Sequence, residues 1–297
     1  MKKYLSLILA ALMCMTMFVA CAPATVDENA SGANLEDNAT VPENDAEVPA
    51  VDEEPADDAE PAASDLQEIK DKGVLVVGIT DFAPMDYEDE NGEWIGFDAD
   101  MAKAFAEYLG VDVEFQIIDW DNKVMELNSK TIDVVWNGMT LTDEVKAAME
   151  CSNAYCNNAQ VVILPADVAE NYADAESMKD LLFAVEAGSA GEAEATNAGF
   201  KTVAVTDQAT ALLEVKSGTA DAAIIDSLMA GAMVGEGTSF EDLIWTVALT
   251  EEKYGVGFRQ ESNVTELFNT FLKEAYDAGV VTEIAETYGV QAAIVAQ

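Results

Sequence analysis

Proton transfer and charge recognition in this chain fall to carboxylates, hydroxyls and aromatic rings, because it contains no histidine. His-based catalysis and His metal ligands are excluded on that ground. Arginine occurs once, at Arg259. Several short segments place polar or aromatic groups at the ends of apolar runs. Asp81 and Phe82 follow the β-branched run Val74 to Ile79, and ligands in open α/β sheets bind at the carboxyl ends of strands. Trp120 stands between Asp119 and Asp121, a composition suited to a loop tip rather than a core. Gly138 lets backbone approach a bound molecule. Ser189 and Ala190 sit where a strand runs through small residues into a helix, and the free N–H groups of a helix N-terminus suit an anion. The apolar strand Ala223-Ile224-Ile225 ends in Asp226, a carboxylate open to two roles: pairing with a cation or capping the next helix.

Charge and cysteine usage narrow the partners. The chain holds 57 Asp+Glu against 14 Lys+Arg. Nucleic acid is excluded, because phosphate binding needs basic residues, and the acidity is read as a solvated surface. Of four cysteines, Cys14 and Cys21 lie near the N-terminus. Cys151 and Cys156 have a spacing that fits no metal motif, and two ligands are too few for structural zinc. They stay open between a short-loop disulfide and two free thiols. No metal and no cofactor is expected.

The elements that position these groups alternate. Strands are expected at Val74–Ile79, Val113–Ile118, Asp133–Trp136 and Ala159–Leu164, with helices at Ala99–Leu109 and Asp143–Met149 and a short one at Val124–Asn128. Asn91-Gly92 signals a hairpin. A second series begins near Ser177, with strands at Phe183–Glu186, Thr202–Val205 and Ala222–Ile225, and helices at Gly191–Asn197, Ala209–Lys216 and Leu228–Val234. Extended pieces follow at Trp245–Leu249 and Tyr254–Phe258, then two closing helices. This rhythm means α/β architecture with mainly parallel sheets flanked by helices. Periodicity alone allows two sequential domains.

The N-terminus reads as an export signal over residues 1–20: Lys2 and Lys3, then an uncharged apolar run from Leu5 to Ala20, short for a membrane span. Phe18-Val19-Ala20-Cys21 resembles a lipobox, which makes Cys21 the lipidation site; an ordinary secretory signal or an uncleaved anchor is the alternative. Residues 21–64 then form an acidic stretch rich in Ala, Pro, Asp and Glu. It cannot bury enough apolar surface to fold, and is expected to be a disordered tether.

The run from Gly73 to Asp100 resembles the opening of the bacterial extracellular solute-binding proteins of amino-acid ABC importers. Their pattern is strand, Asp-Tyr-Pro-Pro-Phe-Glu-Phe, a short hairpin, then Gly-Phe-Asp-Val-Asp. Phe82 matches the aromatic position and Asp98 the helix-opening Asp. The resemblance implies the two-lobed periplasmic-binding-protein-like fold with two crossover strands. Lobe 1 would be residues 65–163 and 252–297, and lobe 2 residues 164–251. It implies a monomer that holds a small polar, amino-acid-like solute between the lobes and passes it to an ABC permease and its ATPase, outside the cytoplasm and anchored at the membrane. Further segments match the family's ligand contacts. Phe82 and Trp120 would sandwich the ligand side chain. Thr140 would offer its hydroxyl and N–H, and Asn137 a polar contact. Ser189 and Ala190 would receive the carboxylate, although Ala190 lacks the family's second hydroxyl. Asp226 would pair with the α-ammonium. Where the family carries a carboxylate-clamping Arg, this chain has Val145, and Arg259 stands where relatives carry a surface basic residue. Two other functions stay open: a dehydratase of the cyclohexadienyl or arogenate type on the same fold, for which Asp226 or Glu186 would serve as acid or base, and a ligand sensor for a membrane receptor.

Overall fold

The computed structural model describes residues 64–297. The expected signal segment, Cys21 and the acidic stretch lie outside the described residues. Strands run in chain order β1 (Val74–Ile79), β2 (Tyr87–Glu88), β3 (Trp94–Ile95), β4 (Asp112–Ile117), β5 (Val134–Thr140), β6 (Glu150–Cys151) and β7 (Cys156–Asn158). There follow β8 (Gln160–Pro165), β9 (Leu182–Glu186), β10 (Lys201–Val205), β11 (Ala222–Asp226), β12 (Leu243–Ala248) and β13 (Glu252–Phe258). They make two main sheets and the β2–β3 hairpin, which the Asn91-Gly92 pair closes.

The first sheet has the order β4-β1-β5-β13-β6, with β7 also on β13; the second has β10-β9-β11-β8-β12. In each, three strands are parallel and the next two antiparallel. Parallel central strands covered on both faces must be apolar throughout. Accordingly β11 is buried at all five residues and β5 at all but Thr140. The chain crosses between the sheets twice, at Ala159 and over residues 249–251. The expected strand Ala159–Leu164 therefore pairs in the second sheet, beside β11 and β12. That puts the whole strand beyond the crossing, so the division expected at 163/164 cuts through β8, and the crossing itself lies before it, at Ala159.

Helices close the sheets. Phe97, Met101 and Phe105 line one face of the helix Phe97–Leu109 at four-residue spacing. Phe105 meets Phe268 and Phe271 of the helix Val264–Asp277, each at 5.1 Å between ring centroids. The C-terminal helices thus return to the first sheet. Phe183 and Phe200 stack at 4.2 Å in the core of the second. The helix Asp65–Lys72, the short strands β6 and β7 and the full length of β5 go beyond the expected elements. The helix Asp65–Lys72 is capped by Ser64, whose Oγ accepts from Gln67 N–H, and ended by Gly73 in the left-handed region. Strand β5 runs on to Thr140 because Met139 and Thr140 pair with Gly255 and Tyr254 of β13. Cys151 and Cys156 are free thiols.

Candidate functional site

A cavity of about 510 Å³ lies where both sheets contribute strand ends, within the size range of small-molecule sites. From the first side come Phe82, Trp120, Lys123, Gly138, Thr140 and Val145; from the second, Glu186, Ser189, Ala190, Gln208 and Asp226. Of the residues expected at the site, Phe82, Trp120, Asn137, Gly138, Thr140, Ser189, Ala190 and Asp226 line this one cavity. Asp81 does not. It is exposed and faces a separate depression with Pro84, Tyr87, Met233 and Tyr288, since neighbours in an extended segment point to opposite sides.

Backbone at two glycines shapes the walls. Gly138 has φ +55°, and a Cβ there would come 2.3 Å from Phe82 Cε1. Its N–H donates to Asp98 Oδ2 at 2.7 Å, and Tyr155 Oη donates to the same oxygen at 2.6 Å. Burial pushes the Asp98 carboxyl up to about 7. Gly188 has φ +69°, and a Cβ would lie 2.7 Å from Asp121 Cα. The two halves therefore touch backbone to backbone at this point.

Several expected contacts are already engaged by the protein itself. The Asn137 side-chain oxygen accepts from Thr80 N–H and Oγ1, and its amide donates to Thr80 O and Asp86 Oδ2. All four of its hydrogen-bonding positions are filled, so Asn137 braces the wall instead of reaching a ligand. Thr140 Oγ1 donates to Glu252 Oε1 at 2.8 Å. Ser189 Oγ accepts from Glu192 N–H at 3.1 Å and caps the helix Ala190–Ala198. Trp120 is in a short 3₁₀ turn rather than a loop tip, 7% exposed and packed with Ile118, Leu127 and Ile132. It is core anchor and cavity wall together. No Phe82–Trp120 ring pair forms among the described residues: Phe82 meets Tyr254 edge-on at 6.3 Å, and the Lys123 ammonium stands 4.9 Å from the Trp120 ring centroid.

Asp226 is a hub. Its Oδ1 accepts from Asn158 Nδ2, from Gln160 Nε2 at 3.0 Å and from Tyr254 Oη at 2.7 Å; its Oδ2 accepts from Gln208 Nε2. Its side chain does not cap the following helix. Asn158 and Gln160 also donate to Glu252 Oε1, at 2.6 and 2.7 Å. The cluster joins both chain crossings, at 158–160 and 252–254. Burial first, and then the Glu252 charge, push the Asp226 carboxyl up to about 8.

Glu186 differs. It ends β9, is 3% exposed, and its Oε1 has no partner among the described residues. Burial, followed by the Asp226 charge, pushes it up to about 8. An unpaired buried carboxylate oxygen in a cavity wall awaits a cation or holds a proton. Lys123, unlike Glu186, has no part in the sequence reading. It is 8% exposed, its Nζ donates to Trp120 O and Gly188 O, and burial holds its ammonium below the usual lysine range against the opposing charges of Glu186, Asp121 and Glu144. Arg259 is not a surface cation. It is buried, with Nε on Asp65 Oδ1 at 2.9 Å and an amino group on the carbonyls of Leu127 and Ile132. Among the described residues no acidic or thiol cluster suits a metal ion, and no helix is long and apolar enough to cross a membrane.

Comparison with known proteins agrees with this geometry. The model of the family described as bacterial extracellular solute-binding proteins, family 3, matches residues 75–291. The arginine-binding extracellular protein ArtP of Bacillus subtilis is 30% identical over 226 residues, covering 73% of this chain and 86% of its own. A mutant of ArgBP from T. maritima superposes with TM-score 0.71 at 33% identity, covering 75% of this chain and 98% of that one. The ancestral amino-acid-binding protein AncCDT-1, described as a precursor of cyclohexadienyl dehydratase, superposes with TM-score 0.70 at 31% identity, covering 76% and 99%.

Proposed function

The chain belongs to the bacterial extracellular solute-binding proteins of family 3, and from that premise we propose that it captures an amino-acid-like zwitterion in the inter-sheet cavity. The protein is a solute-binding protein of the extracytoplasmic kind, on a two-lobed fold. The observation that carries the finer reading is the pairing of charges inside one cavity. Glu186 offers an unpartnered carboxylate oxygen, and Lys123 an ammonium. A solute with both an ammonium and a carboxylate complements that pair. The excess of acid in the walls, with Asp121, Glu144, Glu192 and Asp226 against Lys123, favours a solute whose side chain is also cationic. Relatives named for arginine and a structure with bound histidine point the same way.

Residues 64–158 with 252–297, and residues 160–248, form the two lobes in this reading, closing about the Asp226–Glu252 hub. Lipidated Cys21 anchors the protein at the membrane beside the ABC permease and ATPase that take the solute, and no reaction follows. Mass spectrometry of whatever small molecule leaves the purified protein on denaturation tests the assignment. An amino acid or a close analogue is expected; a sugar, peptide or metal chelate would reject it. One observation favours a second reading. Glu186 holds a proton near neutral pH inside the cavity, so a dehydratase chemistry has an acid to draw on. Turnover of prephenate or arogenate would establish that reading, and its absence leaves the binding protein.

A further inference from the structure

Lys123 is the one cation among the residues that line the cavity. The chain's single arginine is committed to Asp65 and two carbonyls well outside it. Lys123 Nζ donates to Trp120 O at 3.1 Å and to Gly188 O at 2.9 Å. An ammonium has three donors and no acceptor, so one N–H is uncommitted. Both acceptors are neutral, and the charge is met only through space by Glu186, Asp121 and Glu144, none of which accepts a hydrogen bond from it among the described residues. The Gly188 carbonyl lies one residue ahead of Ser189, the cap of the helix Ala190–Ala198. The ammonium thus stands beside the partial positive charge of a helix N-terminus. Two positive centres at one place repel each other and attract an anion. An internal carboxylate already answers that field, since Glu192 Oε2 accepts the Gly188 N–H at 2.8 Å. The Trp120 ring beneath the ammonium fixes its position.

We propose that Lys123 is the specificity-determining residue that receives the solute's carboxylate through its third N–H, from the Trp120 turn. In the family's pattern a guanidinium at position 145 would do this, and Val145 brings no charge to the same cavity. The inference rests on the amino-acid reading of the site. Because Lys123 also bonds Gly188 O across the cleft, one ammonium ties both halves to the anionic head of the ligand. An ammonium is a point charge without the fork geometry of arginine, so the site selects for negative charge more than for the planar shape of a carboxylate.

The test compares an amino acid with its own decarboxylated amine. The twenty common amino acids are screened against the protein by thermal shift. The strongest stabiliser and its amine are then titrated calorimetrically into wild type, Lys123→Met and Lys123→Arg. Lys123→Met is expected to weaken the amino acid about ten- to hundred-fold, the range of one hydrogen bond to a charged group. The amine lacks the carboxylate that Lys123 would meet, so it is expected to lose far less than the amino acid or to gain, and Lys123→Arg keeps most of the amino-acid affinity. Equal losses for both ligands, no loss for either, or a gain for both would overturn the assignment. If Lys123→Met does not melt cooperatively, Lys123→Gln replaces it; if neither uncharged variant folds, the residue is structural and the proposal falls. No stabiliser among the amino acids in wild type overturns the amino-acid reading itself, whereas a good stabiliser indifferent to Lys123→Met overturns only the role given to Lys123.

Discussion

Glu186 and Asp226 both line the cavity, close enough for the Asp226 charge to raise the proton affinity of Glu186, yet their oxygens are engaged differently. Asp226 accepts from four protein donors, and Glu186 keeps Oε1 free. Neutralising them should therefore separate stability from binding. Asp226→Asn puts an NH₂ among donors that have lost their acceptor, and is expected to cost about 1–3 kcal/mol in a denaturant titration, the scale for unsatisfied buried donors. Glu186→Gln should leave the denaturation midpoint nearly unmoved and weaken an ammonium-bearing ligand at least tenfold. Equal stability loss in both variants would contradict this division. The same groups set a pH dependence. A ligand ammonium needs Glu186 ionised, and its carboxyl is pushed up to about 8. Affinity should rise as pH increases from 6 to 8.5, by up to about tenfold per unit where one proton is released. Flat affinity over that range would show that the cation does not meet Glu186.

At the scale of elements, the site depends on where strands stop and helices start, and on two glycines that let them meet. Gly188→Ala forces a left-handed φ on a residue with a Cβ and drives it against the Asp121 backbone. A stability loss of about 1–2 kcal/mol is expected, with a larger effect on binding, because the contact between the halves must open. A variant that binds as tightly as wild type would show that the halves do not need this approach. Much of this framework was legible in the sequence. The β-branched run Val74–Ile79 is β1, and the apolar Ala222–Ile225 is buried β11 ending in Asp226. The alternation of strands and helices gives both sheets. Other features were not legible, for physical reasons. Local sequence leaves the family-derived contacts at Asn137 and Thr140 open, because the hydrogen bonds to Thr80, Asp86 and Glu252 that engage them join residues 51 to 112 positions apart. Trp120 looked like a loop residue because its flanking Asp residues are polar, although its own ring is buried. Lys123 gave the weakest signal. One lysine following Asn122 is ordinary until the turn brings it over Trp120 and across to Gly188, 65 positions on. Arg259 misled in the opposite sense, since nothing local marks its burial against Asp65 and Asp133.

The whole molecule carries the consequence of burying carboxyls without cations. Asp86, Asp98, Glu186 and Asp226 are all raised, with burial as the leading cause. Groups whose folded values lie above their unfolded ones hold extra protons in the folded state. The stability they contribute is therefore full below about pH 4, where the unfolded chain is also protonated, and for Asp98, Glu186 and Asp226 it is lost as pH rises through about 7 to 8. The ligand-free protein should melt at a higher temperature at pH 5.5 than at pH 8.5, and a bound cation should narrow that gap by offsetting the ionised Glu186. A melting temperature that rises steadily with pH in the free protein would mean that these carboxyls are ionised and paired. This opposition, with the free fold favoured at low pH and the complex at high pH, belongs to a cleft built to wait for a cation. The most direct measurement is calorimetric titration of the solute recovered from the denatured protein, in two buffers of different ionisation enthalpy near pH 7, against wild type and Glu186→Gln. One site per chain is predicted, with net proton release in wild type that is reduced in the variant along with affinity. Binding of undiminished affinity in Glu186→Gln, with no proton exchanged in either protein, would contradict the account.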